Sequence, residues 1–198
     1  MARYIGPKVK ISRRYGVKLG LRTNEEAFTR RPYKPGDHGP RGRRGRVSEY
    51  GTQLAEKQKA KFIYGILERQ FVRYYGMASK SHNAGIALMQ ILETRLDTVV
   101  YRAGYTQTQN QARQFVTHGH VLVDGKKVSI PSFVVVPGMK IEMRASIAKT
   151  VEDAPVPTSE LPVWLRKEGK TVEMLSVPTR EQIPSLINEQ LIVEYYSR

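Results

Sequence analysis

Between residues 53 and 75, apolar side chains recur at Ile63, Ile66, Leu67, Phe71 and Tyr74. Steps of three and four residues place them on one face of a helix at 3.6 residues per turn, with Lys57, Lys61 and Arg69 turned away from it. Order is expected to begin near Ser48, and a second helix is predicted over 84–92, carrying Leu88, Met89 and Leu92. Leu96, Val99, Val100 and Ala103 then follow the i, i+3, i+4, i+7 rule, which predicts a short helix ending at Gly104. Thr106-Gln107-Thr108-Gln109 supplies a candidate capping box, with Thr106 as cap and Gln109 reaching back. The helix it opens buries Ala112, Phe115 and Val116 and stops at Gly119.

The period changes after that point. In VLVDGKKV, Asp124-Gly125 is a strong two-residue hairpin signal between Val-rich strands. Phe133–Val136 and a Pro137-Gly138 turn lead to a strand in which Met139, Ile141 and Met143 alternate with Lys140, Glu142 and Arg144. Two short helices backed by a small antiparallel sheet result. The Pro-spaced stretch from Val151 to Pro162 reads as a linker, and Trp164 as the anchor of a short helix or turn. Residues 171–177 and 191–196 read as strands or extended tails, with Leu191–Tyr196 packing back on the helical domain to cover its apolar side chains. Residues 1–46 sustain neither period and hold nine Gly or Pro residues before the Arg41–Arg46 tract, so an extended arm with room for one short helix is expected; a disordered basic tail is the alternative.

The expected fold class is therefore α+β. An extended basic arm (1–46) precedes a small helical domain (47–91, completed by 158–198), into which a module and linker (92–157) are inserted.

Charge sharpens this picture. The chain has 33 Lys and Arg against 18 Asp and Glu in 198 residues, a formal net charge of +15 with pI near 10.1. Self-repulsion of that size calls for a polyanion partner. Fourteen of the basic residues and only three acids lie in 1–46, whereas acids outnumber bases after residue 147. Without cysteine there are no disulfides, thiol nucleophiles or Cys-based zinc sites. The longest apolar run is about Phe133–Val136, too short to span a membrane. The N-terminus is basic but lacks the apolar stretch of a signal peptide, and Gly6-Pro7 and Gly16 interrupt the amphipathic helix of a transit peptide.

The chemistry these cations suit is phosphate neutralisation, in which a planar guanidinium takes a phosphate bidentately or stacks on an unpaired base. Candidates in the arm are Arg3, Lys8, Lys10, Arg13, Arg14, Arg41, Arg43, Arg44 and Arg46. Tyr4 and Tyr15 among them either stack on bases or pack internally. Lys57, Lys61 and Arg69 form a helix back that is either solvated or faces RNA.

Residues 92–143 carry Arg95-Leu96-Asp97, Ala112-Arg113 and His118-Gly119-His120-Val121, the last leading to Asp124-Gly125-Lys126. This stretch resembles the RNA-binding module, of alpha-L type, named after ribosomal protein four. Modifying enzymes and synthetases also carry that module, so the flanks matter. ARYIGPKVKISRR, PGDHGPR, YGTQLAEKQKAKFIYGILERQF and INEQLIVEYYSR all resemble the bacterial-type small-subunit ribosomal protein four (uS4) family, and the likeness is weakest over 20–31 and 145–180. Members with paired cysteines in the arm bind zinc; Val9 and Ser12 stand where the first pair would sit, so the resemblance is to the zinc-free form, with no cofactor.

The resemblance implies a primary binder of 16S ribosomal RNA that nucleates assembly of the 30S body and influences translational accuracy. It also implies contact with ribosomal protein five, a place beside the region where messenger RNA enters, no homo-oligomer, and a ribosome-bound cytoplasmic location (a plastid ribosome being the alternative). Within the module Arg95, Arg113, His118 and Lys126 are expected to share an RNA-facing rim, Arg113 lying just off the buried stripe. An ordinary surface arginine paired with an acid is the other reading of Arg113, and Asp97 is expected to orient a neighbouring arginine or cap locally. Arg95-Leu96-Asp97-Thr98 echoes a pseudouridine synthase segment, but the large catalytic domain such enzymes need is missing. His118-x-His120 leaves a tetrahedral metal site half empty. No P-loop, nucleophile elbow or metalloprotease helix occurs, so an RNA-modifying enzyme and a non-specific nucleic-acid compactor are the lesser alternatives.

Overall fold

The computed structural model describes residues 4–21, 26–37, 39–40, 48–147, 161–183 and 186–197. In chain order its helices are α1 (Lys8–Tyr15), α2 (Glu26–Arg30), α3 (Glu49–Ile63), α4 (Glu68–Ala78), α5 (Ala84–Glu93), α6 (Leu96–Arg102), α7 (Gln109–Thr117) and α8 (Glu189–Tyr196). Its strands are β1 (Val121–Val123), β2 (Lys126–Lys127), β3 (Lys140–Met143), β4 (Leu165–Glu168) and β5 (Thr171–Met174). The chain forms two compact units, residues 1–85 with 186–198 and residues 86–185, and the fold is mixed helix and antiparallel sheet, as expected.

In the first unit, Ser48 caps α3 by accepting the Gly51 N–H at 3.1 Å. The single helix predicted across 53–75 is broken in two. Gly65 adopts a left-handed φ of 60°, which lets the chain turn after Tyr64 and restart at Glu68. The arm also departs from the extended form expected. α1 closes at Gly16, and Ile11, Leu19 and Leu21 bury themselves with Tyr15, Val17, Phe62 and Ile63 packed around them. Three scattered aliphatics too few to show a period thus make a small core once Phe62 is brought to them.

Leu191–Tyr196 packs back on α3, but as a helix and not as a strand. Asn188 caps it by accepting the Gln190 N–H at 3.1 Å, and Ile192 is buried. Tyr196 stacks on Tyr75 with ring centroids 4.5 Å apart. Alternating LIVEYY suits both structures; the cap and the helix it docks on decide.

The second unit holds one antiparallel sheet in the order β2-β1-β3-β5-β4. Val121 faces Met143, Val123 faces Ile141, Ile141 faces Val172 and Leu165 faces Met174. Residues directly opposite share a face, so these side chains form one apolar surface. Against it lie Leu96, Val99 and Val100 of α6 and Ala112, Phe115 and Val116 of α7, together with Trp164. The 165–174 hairpin was expected with the helical domain. It extends the module's sheet instead, because Val172 and Met174 continue the buried row that Ile141 begins. Only residues 186–198 of the expected 158–198 tail belong to the first unit.

Candidate nucleic-acid interface

α1 and the turn around Tyr33 enclose a cleft of about 370 Å³ lined by Arg13, Arg14, Tyr15, Pro32, Tyr33 and Lys34, with two glycines and, among the described residues, no acid. Arg13 donates from Nε to the Tyr33 carbonyl at 3.2 Å and stacks its guanidinium over that ring, 5.0 Å from the centroid. Arg14 and Lys34 are exposed beside it. Burial pushes the Tyr15 hydroxyl above its ordinary pKa, against a pull from Arg14. A second cleft shares Arg14, Tyr15 and Lys34 and runs along α3 to Phe62. Lys10 is exposed on α1 and Lys8 half-buried. Tyr4 sets its ring edge on Phe62, 5.3 Å between centroids, so it packs internally while staying part-exposed. Arg3, Arg41, Arg43, Arg44 and Arg46 lie outside the described residues.

Two lysines expected on an outward helix back are turned inward. Lys57 is only 4% exposed, with Nζ 2.6 Å from Glu68 and 4.8 Å from the Tyr195 ring centroid. Lys61 lies 3.2 Å from the other Glu68 oxygen. Burial presses the Glu68 carboxyl upward, but the two ammonium groups outweigh it and hold it below the ordinary glutamate range. Tyr196 donates its hydroxyl to Glu68 at 3.2 Å, and burial with the Glu68 charge raises its pKa. The cause is the α3–α4 break, which swings Glu68 over Lys57. Arg69 stays exposed.

The largest correction concerns the module. Arg95 and Arg113, placed on an RNA-facing rim, are buried against Asp97. Arg95 donates to the Asp97 carboxylate from Nε at 2.9 Å and Nη2 at 2.7 Å, a bidentate pair, and Arg113 Nη1 lies 3.9 Å away. Asp97 is 0% exposed and also accepts the Thr98 N–H at 3.1 Å. Burial pushes its carboxyl above the ordinary aspartate range, while Arg95, Arg113 and the Thr98 N–H pull back. Of the alternative reading of Arg113, an ordinary surface arginine paired with an acid, the acid is there but the surface position is not; Asp97 does orient a neighbouring arginine. A second buried pair, Arg102 with Glu93 at 2.6 Å, escaped sequence reading because its partners lie nine residues apart. The α7 cap is Thr108, not Thr106: its hydroxyl accepts the Gln111 N–H at 3.3 Å, while Gln109 turns inward to Thr98.

What the module leaves outward is the end of α7 and the hairpin. His118 is exposed at the helix end, and Asp124 (φ 47°) and Gly125 (φ 75°) present exposed Lys126. Lys127 lies across Gly119 so closely that a Cβ there would come within 2.0 Å of it. Tyr33, Lys34 and Lys127 join the candidates that sequence reading named; a lysine in a Pro-rich turn, or beside another lysine, gives no sign along the chain of which surface it will meet. Among the described residues, His120 Nδ1 and Trp164 Nε1 are buried without hydrogen-bond partners. Among the described residues no three of His, Asp or Glu gather as metal ligands, and no helix is long and apolar enough to cross a membrane.

Comparison with known proteins matches residues 3–93 to the ribosomal protein S4/S9 N-terminal domain and residues 94–141 to the S4 domain. The small ribosomal subunit protein uS4 of Chlorobaculum tepidum is 48% identical over 205 residues, covering all of both chains. Those of Roseiflexus castenholzii and Dictyoglomus thermophilum are 46% and 45% identical, again over the full length of each. The chain belongs to the uS4 family. This is a family of ribosomal structural proteins and not of enzymes, consistent with Asp97 being sealed beneath Arg95. In the uS4 frame the S4 domain supplies the α6–α7 and β1–β3 core, and the β4–β5 hairpin lies beyond the matched residues.

Proposed function

We propose that this chain binds 16S ribosomal RNA directly as a structural constituent of the small ribosomal subunit, and that its early binding nucleates assembly of the 30S body. On this reading it contacts ribosomal protein five, lies beside the region where messenger RNA enters, and through both influences translational accuracy. The observation that carries the proposal is the acid-free cleft of Arg13, Arg14 and Lys34, with Tyr33 and Tyr15 as flat walls. It is set in the stretch of sequence where basic residues are densest. A-form RNA hides its base edges in a deep, narrow groove, so a protein that reads it must grip phosphate and shape. Cations held beside aromatic faces do that. His118, Lys126 and Lys127 would give a second point of grip.

The test is a salt series of binding to deproteinised 16S rRNA. Neutralising about eight phosphates gives a slope of log affinity against log salt near −6 to −7. Replacing Arg13, Arg14 and Lys34 together by Gln should flatten that slope by about two to three. Neutral substitution is preferable to deleting residues 1–46, because Ile11, Leu19 and Leu21 are part of the first unit's core. An unchanged slope would sink the reading.

A further inference from the structure

The turn between β1 and β2 is the one place among the described residues where a residue other than glycine has a positive φ. Asp124 sits there at φ 47° and Gly125 follows at φ 75°, both exposed. Aspartate tolerates this left-handed backbone, and Asp-Gly closes a tight hairpin well. The same dipeptide puts a carboxyl carbon beside a backbone nitrogen that no neighbouring side chain screens. A Cβ built on Gly125 would meet nothing within 4 Å, and among the described residues its N–H has no hydrogen-bond acceptor.

Asp124, by contrast, is tied twice to one residue of β3. Its N–H donates to the Lys140 carbonyl at 2.9 Å, and its Oδ1 accepts the Lys140 N–H at 2.9 Å. Both bonds run to the Lys140 backbone, so the carboxyl is turned to β3 and is not free to swing over the Gly125 nitrogen. The clamp stands at the end of the β1–β3 ladder, and it opens when that end does.

We propose that Asp124-Gly125 is an isoaspartate-forming site, kept unreacted in the folded protein by the Lys140 clamp. The Gly125 nitrogen attacks Asp124 Cγ: a C–N bond forms, the Cγ–OH bond breaks, and the N–H proton leaves with the hydroxyl as water. Water then opens the five-membered succinimide at either carbonyl. Opening at the carbonyl of the original peptide bond leaves the chain running through the side chain, with one extra backbone methylene and a free α-carboxylate. Water is the sole co-reactant, and nothing is oxidised or reduced. A two-residue turn lengthened in this way cannot keep Val123 opposite Lys126, so Lys126 and Lys127 lose their register. The product accumulates in chains whose hairpin has spent time open.

The test ages full-length protein at neutral pH, folded in buffer and unfolded in guanidinium chloride. Peptide mapping locates isoaspartate, and methylation by an isoaspartyl methyltransferase counts it. Lys140→Pro is aged in parallel. Proline removes the donor of the clamp, and that N–H serves Asp124 Oδ1 and not a backbone carbonyl. The expected result is isoaspartate at Asp124 in the unfolded chain, formation about tenfold or more slower in the folded one, and a folded Lys140→Pro rate raised toward the unfolded rate. An unfolded chain that forms no isoaspartate at Asp124 overturns the site. Equal rates in folded and unfolded wild type overturn the clamp, as does a Lys140→Pro protein that melts and isomerises like wild type. Should Lys140→Pro fail to fold, the wild-type comparison decides alone. These rates are read on the protein by itself, so they stand or fall independently of the proposed binding to 16S rRNA.

Discussion

Replacing Asp97 by Asn removes the carboxylate that Arg95 meets at 2.7 Å and that Arg113 approaches at 3.9 Å. Arg95 is 1% exposed, so its guanidinium stays in the interior without that carboxylate. Breaking a buried pair from one side costs about 3–5 kcal/mol, because a desolvated charge is left uncompensated. Against a domain stability of about 5–15 kcal/mol this is a large fraction, and it lowers the melting temperature on the order of 10 °C. Differential scanning calorimetry reads the shift. A double-mutant cycle with Arg95→Met separates the pair's coupling from the packing of the arginine stem. The double variant should recover much of the loss, since an apolar pair of similar volume tolerates burial where a lone charge does not. Arg113→Ala should likewise lower stability with little change in the salt slope of RNA binding. An Asp97→Asn protein that melts with wild type but binds 16S rRNA weakly would refute the reasoning and return Arg95 and Arg113 to the RNA-facing surface.

Two further outcomes follow from the contacts described. Because Glu68 is held below its ordinary pKa, its stabilising contribution is complete above the unfolded value near 4.5 and is lost as pH falls through the lowered folded value. Thermal melts of Glu68→Gln and wild type should therefore differ at neutral pH and converge in acid; parallel curves would show that Glu68 does not clamp Lys57. At the hairpin, Gly125 has φ 75°, where an L side chain costs about 1–2 kcal/mol. Gly125→Ala should lower the urea midpoint accordingly, and an unmoved midpoint would count against a left-handed turn.

The burial of Arg95, Arg113 and Lys57 changes where the +15 charge can act. Lys57 was a candidate because it lies on the helix back opposite the apolar face, and Arg95 and Arg113 because they stand at motif positions. With these three removed from the surface, exposed cations remain at the α1 cleft (Arg14, Lys34), on α4 (Arg69, Arg73), at the hairpin (Lys126, Lys127) and along β3 and β4 (Lys140, Arg166, Lys167).

Everything set by period and by local backbone chemistry was legible along the chain. Leu96-Val99-Val100-Ala103 could pack only as one helix face, and Asp124-Gly125 could close only a tight hairpin, so the module and its sheet could be read. The excess of arginine and lysine in the first quarter likewise announced a polyanion partner. Which cations face outward was settled only by packing. Arg95 and Arg69 are the same residue type in similar local patterns, yet one meets Asp97 inside the second unit and the other meets solvent. Packing also made Leu191–Tyr196 a helix and joined residues 165–174 to β3, because short alternating segments take the structure of whatever surface they dock on. Period is a property of neighbours in the chain, and desolvation and charge pairing are properties of neighbours in space, which is why the first could be read and the second had to be seen.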